Sequence, residues 1–343
     1  MKMNSAVHRR TSRRVRLALA SLAVVALAGF VAFKASPWPS VWLIRWAFQR
    51  GGEQASGALV RHVPAGVVST LNRQYDMADP HAYLDVYRPA ALADHASLPA
   101  IVWIHGGGFV AGSKTEVANY ARVLAARGYV VVAVEYALAP GATYPTPLQQ
   151  VNRALAYLLE NARTLRIDAQ RFVLAGDSAG AQIASQVANL VASPEYAREM
   201  GIVPALTRAQ LRGALLFCGL YDLGLVDRAH PSWFLPTVLW SYAGRKDYWN
   251  APRFERFSVI DYVTADFPPA FITVGNDDPL QAHSYRLADA LERRGVAVDR
   301  LFYAKNHVPS LPHEYQFDLD GRDGQEVLRR LDAFLGHVLK PQS

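Results

Sequence analysis

Residues 176–180 read Gly-Asp-Ser-Ala-Gly and match the pattern G-x-S-x-G. Residues 171–175, which precede them, form a short apolar run typical of a buried strand, and residues 179–192 favour a helix. A strand that turns sharply into a helix presents the central Ser178 on a tight bend, and small flanking residues let the two backbones pass close together. The stretch therefore predicts a nucleophilic serine at a strand-to-helix turn.

The length of 343 residues indicates one large globular domain with an extension. The formal net charge is +7, and residues 1–34 carry seven of the 36 Lys and Arg residues and no Asp or Glu. The rest of the chain is therefore balanced, with 29 basic against 29 acidic side chains. A balanced body argues against a basic nucleic-acid-binding face, so we expect no nucleic-acid partner.

Cys218 is the single cysteine of the chain, which excludes an intrachain disulfide. It lies in an apolar run, where a buried thiol is the expected state. The histidines are scattered and show no metal-ligand spacing, so we expect neither a metal site nor a cofactor.

Residues 17–33 form an apolar run behind the basic start, an arrangement typical of a signal anchor or a signal peptide. No clean small-residue cleavage site follows, so residues 1–34 are interpreted as an uncleaved anchor, with a cleaved signal peptide as the alternative. Because the basic side of such a segment stays in the cytoplasm, the body is expected outside it, in the periplasm or the extracellular space, or secreted after cleavage. Residues 35–82 are expected to form a linker, with tryptophans suited to a membrane interface or a lid.

Strand-like and helix-like segments alternate through the remaining chain. This alternation predicts an α/β fold with a mostly parallel central sheet and helices on both faces. The predicted strands are residues 83–87, 99–104, 129–136, 171–175, 211–220, 270–274 and 300–303, and the predicted helices are residues 113–126, 148–159, 179–192, 282–294 and 325–339. Residues 224–262 interrupt the alternation with many aromatic side chains, among them Trp233. Such an insertion is often a lid or a pocket wall, and the alternative is a peripheral decoration.

Residues 105–109 read His-Gly-Gly-Gly-Phe and follow the predicted strand at 99–104 directly. Glycines allow a backbone to approach a ligand closely with several N–H groups free. Such donors stabilise the oxyanion that forms when a carbonyl carbon is attacked. The position of the loop, after a buried strand and ahead of the serine turn, favours this role over that of a flexible turn.

Together these motifs resemble the hormone-sensitive-lipase-like carboxylesterases of the α/β-hydrolase fold. The matching segments are residues 105–109, residues 135–140 (Glu-Tyr-Ala-Leu-Ala-Pro), residues 176–180 and residues 278–280 (Asp-Pro-Leu). The resemblance implies that Ser178 is the nucleophile and that the N–H groups of Gly107, Gly108 and Ala179 form the oxyanion hole. It also implies a catalytic domain at residues 83–340 with the lid-like insertion at 224–262, and a cap formed by the residues before 83.

The acid and the base of a triad follow the serine in this fold, in the order serine, acid, histidine. Asp278 matches the family motif and is chosen over its neighbour Asp277 and the more distant Asp222. For the base, counting forward from Asp278 favours His307, whereas counting back from the terminal helix favours His313. The family usually has His-Gly-Phe at this point, and neither histidine is followed by glycine. We predict His313 as the base, with His307 as the alternative.

The resemblance implies a serine carboxylic ester hydrolase that acts through an acyl-enzyme on small to medium acyl esters. An amidase such as an arylformamidase uses the same groups and is one alternative. A hydrolase-fold binding protein without turnover is the other, and such a protein typically lacks a triad member. The expected partners are a small-molecule ester and, through the N-terminal segment, a membrane.

Overall fold

The computed structural model of the protein describes residues 4–93, 95–227 and 234–340, with side chains described from residue 15 onward. Trp233 of the predicted insertion lies outside the described residues, as do the first three residues of the predicted anchor.

Two helices open the chain, α1 at Asn4–Ala35 and α2 at Trp38–Leu59. Pro39 lies in the first turn of α2, where its missing N–H has no intrahelical partner, so it starts the helix instead of breaking it. Val41 and Ile44 on its inner face are buried in the main core. The predicted linker therefore contains a 22-residue helix that packs on the body.

The rest of the chain is built around one eight-stranded sheet. The strands are β1 Val67–Gln74, β2 Tyr83–Pro89, β3 Leu98–Ile104, β4 Val130–Val134, β5 Ile167–Asp177, β6 Leu211–Phe217, β7 Ala270–Val274 and β8 Val298–Phe302. They lie in the order β1-β2-β4-β3-β5-β6-β7-β8, with β2 antiparallel to both neighbours and every pair from β4 to β8 parallel. The predicted mostly parallel sheet is confirmed.

Strand β1 lies inside the predicted linker, so the sheet begins at Val67 and not at residue 83. It is an edge strand whose residues are all exposed or half-buried, and its sequence lacks the continuous apolar run that marks strands such as β4 and β7. A register shift between Thr70 and Arg73, where Asn72 has a φ of 55°, interrupts its pattern further.

Helices cover both faces of the sheet. After α2 they are α3 Ala118–Ala125, α4 Thr146–Glu160, α5 Ala162–Leu165, α6 Ala179–Ala192, α7 Pro194–Met200, α8 Leu235–Ala243, α9 Gln281–Arg293 and α10 Arg322–Val338. Helices α4, α6, α8 and α9 pack with one face of the sheet, and α3 and α10 pack with the other. Successive side chains of β3 point to opposite faces of the sheet, as the period of a strand requires. Val102 lies in the core shared with α4, α6, α8 and α9, and Trp103 lies in the core shared with α3 and α10.

Several predicted boundaries differ from the structure, and two of them do so for local reasons. The helix predicted at 113–126 begins only at Ala118, because Lys114 is held in a turn by a buried ion pair with Asp85, at 2.9 Å. The strand predicted at 211–220 ends at Phe217, because Cys218 takes a left-handed conformation with a φ of 44°. The short helices α5 and α7 were not predicted from the sequence.

The insertion at 224–262 forms α8 and several 3-10 turns. Tyr242 of α8 is fully buried and stacks on Phe109 at a ring distance of 4.1 Å. Phe234, at the start of α8, meets Phe48 of α2 edge to face at 5.6 Å. The insertion and α2 therefore pack together beside the glycine loop at residues 105–109.

Candidate active site

Ser178 occupies the turn between β5 and α6. Its φ of 51° and ψ of −119° are unusual for a residue with a side chain, and its N–H donates to the carbonyl of Phe217 at 2.8 Å. A Cβ on Gly176 would lie 2.5 Å from the backbone of Gly180, and a Cβ on Gly180 would overlap the carbonyl oxygen of Ile104. Both flanking positions therefore require glycine for the turn to close.

Three side chains meet at this turn. The hydroxyl oxygen of Ser178 lies 2.9 Å from Nε2 of His313, and Nδ1 of His313 lies 2.8 Å from Oδ2 of Asp278. The second oxygen of Asp278 accepts the N–H of Leu280 at 2.7 Å, which fixes the carboxylate. With Nδ1 donating to Asp278, Nε2 is free to accept the serine proton, which is the arrangement that activates a hydroxyl.

The remaining candidates from the sequence lie elsewhere. The ring of His307 packs against that of Tyr303 at a centroid distance of 4.6 Å, and its Nε2 pairs with Asp323 at 3.2 Å, away from Ser178. Asp222 accepts the N–H of Gly224 at 2.7 Å and pairs with an arginine. The structure therefore places His313, and not His307, in contact with Ser178.

Electrostatics favour the charged form of His313. Burial opposes protonation of this ring, but the neighbouring Cys218 sulfur and the Asp278 carboxylate raise the pKa of His313 well above its ordinary value. Burial raises the pKa of the Cys218 thiol to about 11, so this thiol is neutral at pH 7. The charges that stabilise an imidazolium at His313 are therefore those of Asp278 and Glu314.

The glycine loop faces the serine turn with free donors. Gly107 and Gly108 have φ values of 101° and 60°, and the N–H groups of the next turn bond back to the carbonyl of Gly107. Among the described residues, the N–H groups of Gly107, Gly108 and Ala179 have no hydrogen-bond acceptor. All three residues line the cavity that contains Ser178. This geometry suits the stabilisation of an oxyanion.

Asp177 holds the loop against the serine turn, a role that the sequence did not reveal. Its carboxylate accepts the indole N–H of Trp103 at 2.7 Å and the N–H of Gly106 at 2.8 Å. Asp177, which stands between the first glycine of the motif and Ser178, thus fixes the end of β3, where the glycine loop starts.

Arg45 of α2 is a second contributor that the sequence did not reveal. Its guanidinium donates to the carbonyl of Val110 at 2.6 Å and to that of Ala139 at 3.0 Å. It therefore ties α2, the cap helix, to the segments that follow the glycine loop and β4. A single cation within the apolar stretch of α2 was the signal that could have indicated such a contact.

The cavity beside Ser178 has a volume of about 580 Å³. One part of its wall is apolar and comes from α2, α8 and the loops before α8 and α9: Ala47, Phe48, Leu220, Leu225, Val226, Leu235, Val238 and Leu280. Another part carries the carboxyl groups of Glu116 and Glu314. A second cavity of about 630 Å³ lies near Pro269 and Phe334 and contacts no member of the serine site.

Comparisons with known proteins identify the family to which the chain belongs. A family described by the alpha/beta hydrolase fold matches residues 101–310, more than half of the chain. The chain is 32% identical to an ethyl acetate hydrolase of Pseudomonas putida over 235 residues, which are 67% of this chain and 70% of that protein. It is 31% identical to the esterase LipI of Mycobacterium tuberculosis over 228 residues, 62% of this chain and 66% of the relative. The match to the esterase LipQ covers 59% of that protein, so the chain spans less than two thirds of both mycobacterial relatives.

A solved structure of esterase B from Lactobacillus rhamnosis superposes with a TM-score of 0.74 at 24% identity, covering 87% of this chain and 94% of that one. At this identity the likeness establishes the fold. The family match over more than half of the chain, with the 32% identity to the ethyl acetate hydrolase, shows that the chain belongs to the α/β-hydrolase family. The predicted fold class and the predicted likeness to hormone-sensitive-lipase-like carboxylesterases are confirmed.

Proposed function

We propose that the protein is a serine carboxylesterase in which Ser178 is the nucleophile, His313 the base and Asp278 the acid. The observation that carries this proposal is the continuous hydrogen-bond chain from Ser178 to His313 at 2.9 Å and from His313 to Asp278 at 2.8 Å. The relatives named as an ethyl acetate hydrolase and as esterases support ester hydrolysis as the reaction.

The first half of the reaction forms an acyl-enzyme. Nε2 of His313 takes the hydroxyl proton as Ser178 attacks the ester carbonyl carbon, and Asp278 stabilises the resulting imidazolium. The N–H groups of Gly107, Gly108 and Ala179 bind the oxyanion of the tetrahedral intermediate. Collapse of that intermediate transfers the proton from His313 to the leaving alcohol and leaves the acyl group on Ser178.

The second half releases the acid. Water gives a proton to His313 and attacks the acyl carbon, and the new tetrahedral intermediate expels Ser178, which recovers the proton. The enzyme returns to its starting state with no cofactor in the cycle. The apolar wall and the volume of about 580 Å³ favour esters with small to medium acyl groups.

Two assays test this proposal together. A fluorophosphonate probe should label wild-type protein and leave protein with Ser178→Ala unlabelled, because the probe reacts with an activated serine hydroxyl. A series of p-nitrophenyl esters of graded chain length, set beside formylkynurenine, should show turnover of the esters. Labelling without turnover of any ester would support a binding protein, and turnover of formylkynurenine alone would support an amidase.

The pKa of His313 sets the pH dependence. The base acts only when neutral, and its pKa is raised, so kcat/KM should rise with pH and reach half its maximum above the ordinary histidine value of 6.5. The change Asp278→Asn removes the carboxylate and should move this midpoint to lower pH. Rate profiles of both proteins on one activated ester measure the shift. A wild-type midpoint at or below 6.5 would contradict the assignment.

We further propose that α1 anchors the protein in a membrane, with the catalytic body outside the cytoplasm. Residues Val15–Ala35 form a 21-residue helical span of mean hydropathy 2.2, and no residue of this span is buried. The next helix, α2, continues this surface: Trp38, Trp42 and Trp46 recur every four residues and are 37%, 64% and 59% exposed. Indole rings favour the membrane interface, and a stripe of them beside an apolar span suits that position.

Cell fractionation tests the anchor. Full-length protein should sediment with membranes, and protein without residues 1–34 should stay in the supernatant with unchanged kcat/KM, since the balanced body lies after that segment. The N-terminus of the membrane-bound protein, read by mass spectrometry, should be intact. A soluble protein cut near residue 34 would establish the alternative, a cleaved signal peptide.

A further inference from the structure

Glu314 follows His313 directly and occupies an unfavourable backbone conformation. Its φ of 61° and ψ of 27° are left-handed, where a residue other than glycine or asparagine costs about 1 kcal/mol. Glutamate at this position therefore has no backbone advantage. A contact of its side chain is therefore needed to offset the cost.

The carboxylate of Glu314 reaches the reacting groups. Its Oε1 lies 3.8 Å from Nε2 of His313, the same nitrogen that faces the Ser178 hydroxyl at 2.9 Å. The side chain is 33% exposed and lines the cavity together with Ser178. The carboxylate of Glu314, which can accept a hydrogen bond, and the base His313 thus face the same small space beside Ser178.

Asp177 and Gly106 hold this carboxylate in place. A Cβ on Gly106 would overlap the carboxylate of Asp177 and would lie 3.0 Å from Oε1 of Glu314. Both carboxylates therefore pack against Gly106. Burial and the charge of Glu314 raise the pKa of Asp177 to about 7. Asp177 is itself fixed by Trp103 and the Gly106 N–H, so Glu314 lies beside a carboxyl group of fixed position.

We propose that Glu314 is a further catalytic residue, which accepts a hydrogen bond from the water that hydrolyses the acyl-enzyme. This inference rests on the proposed esterase function. Water has two hydrogens: one goes to Nε2 of His313 as the oxygen attacks the acyl carbon, and the other stays on the oxygen, bound to Oε1 of Glu314. When the tetrahedral intermediate breaks its bond to Ser178, the serine oxygen takes the proton back from His313. Glu314 neither gains nor loses a proton in the cycle.

An alcohol nucleophile distinguishes this role of Glu314 from a purely structural one. Methanol has a single hydroxyl hydrogen, which goes to His313, and it has none left for Glu314. Methanolysis of the acyl-enzyme should therefore not need Glu314, whereas hydrolysis should. The ratio of methyl ester to free acid formed from one acyl-enzyme reports this difference, and it does not depend on how much of a variant is folded.

The experiment compares Glu314→Gly, which suits the left-handed backbone, with Glu314→Gln, which keeps the volume and loses the charge. Both are assayed on a p-nitrophenyl ester with and without methanol. In Glu314→Gly the product ratio should shift about tenfold towards the methyl ester, as expected for a lost hydrogen bond to a charged acceptor. Glu314→Gln should shift it in the same direction by less. At a pH above the wild-type midpoint, where His313 is neutral in every variant, the burst of p-nitrophenol, which reports acylation, should keep its rate.

Glu326→Gln is the matched control, because this carboxylate on α10 is 33% exposed like that of Glu314, pairs with Arg329, and its loss changes the net charge equally. Its product ratio should equal that of wild type. An unchanged ratio in both Glu314 variants, a shift in Glu314→Gly alone, or an equal shift in Glu326→Gln would overturn the inference. If wild type shows neither burst nor hydrolysis, the proposed esterase function fails instead.

Discussion

Ser178→Ala should lower kcat on an activated ester by about 10⁴-fold or more, because removal of the nucleophile leaves only the residual rate of binding and oxyanion stabilisation. The covalent intermediate cannot form without the hydroxyl, and His313 then has no group to deprotonate except water. Steady-state rates and the loss of the p-nitrophenol burst measure the effect.

Ser185→Ala is the matched control for this change. Ser185 lies on the same helix, α6, is fully buried, and donates to the carbonyl of Gln182 at 2.8 Å. Its replacement removes a buried hydroxyl without touching the site, so kcat should stay near the wild-type value. Turnover by Ser178→Ala at a rate close to that of the control would rule out the proposed nucleophile.

His313→Gln should abolish turnover to a similar degree, whereas His307→Gln should leave kcat nearly unchanged. In a serine hydrolase the base and the nucleophile act as a unit, so loss of either costs about the same factor. His307 pairs with Asp323 at 3.2 Å and has no contact with Ser178, so its loss should affect local stability alone. Both variants are assayed on one p-nitrophenyl ester, with thermal unfolding recorded in parallel.

The opposite pattern would reassign the base. If His307→Gln lost turnover while His313→Gln kept it, the loop after β8 would have to rearrange in the working enzyme. The serine and the oxyanion donors would keep their proposed roles in that case. Loss of turnover in both variants with intact thermal unfolding would require a role for His307 beyond its pair with Asp323.

The sheet and the serine turn could be predicted from the sequence because their signals are local. The strand predicted at 270–274 and the helix predicted at 179–192 have the observed bounds, since a continuous apolar run and an Ala-rich segment each specify one element. The glycine loop was found for the same reason: it follows a buried strand directly. In each case the residues that define the feature are neighbours in the chain.

The features that the sequence did not yield depend on contacts between distant residues. Helix α2 was hidden by Pro39, because proline both starts and interrupts helices and only the packing of Val41 and Ile44 decides between these roles. The choice between His307 and His313 rested on counting, since no local pattern records which histidine reaches a serine more than a hundred positions earlier. Arg45 likewise reveals its partners only once the cap helix is in place.

The single cysteine makes the protein well suited to site-specific labelling. Cys218 is 1% exposed and its raised pKa, about 11, keeps the thiol in its unreactive form at neutral pH. A bulky maleimide will therefore not reach or modify it in the folded state. A cysteine introduced at an exposed position of α2, such as Gln49→Cys, would be the one reactive thiol of the folded chain, so a fluorophore placed there could follow the cap helix during turnover without removal of a native residue.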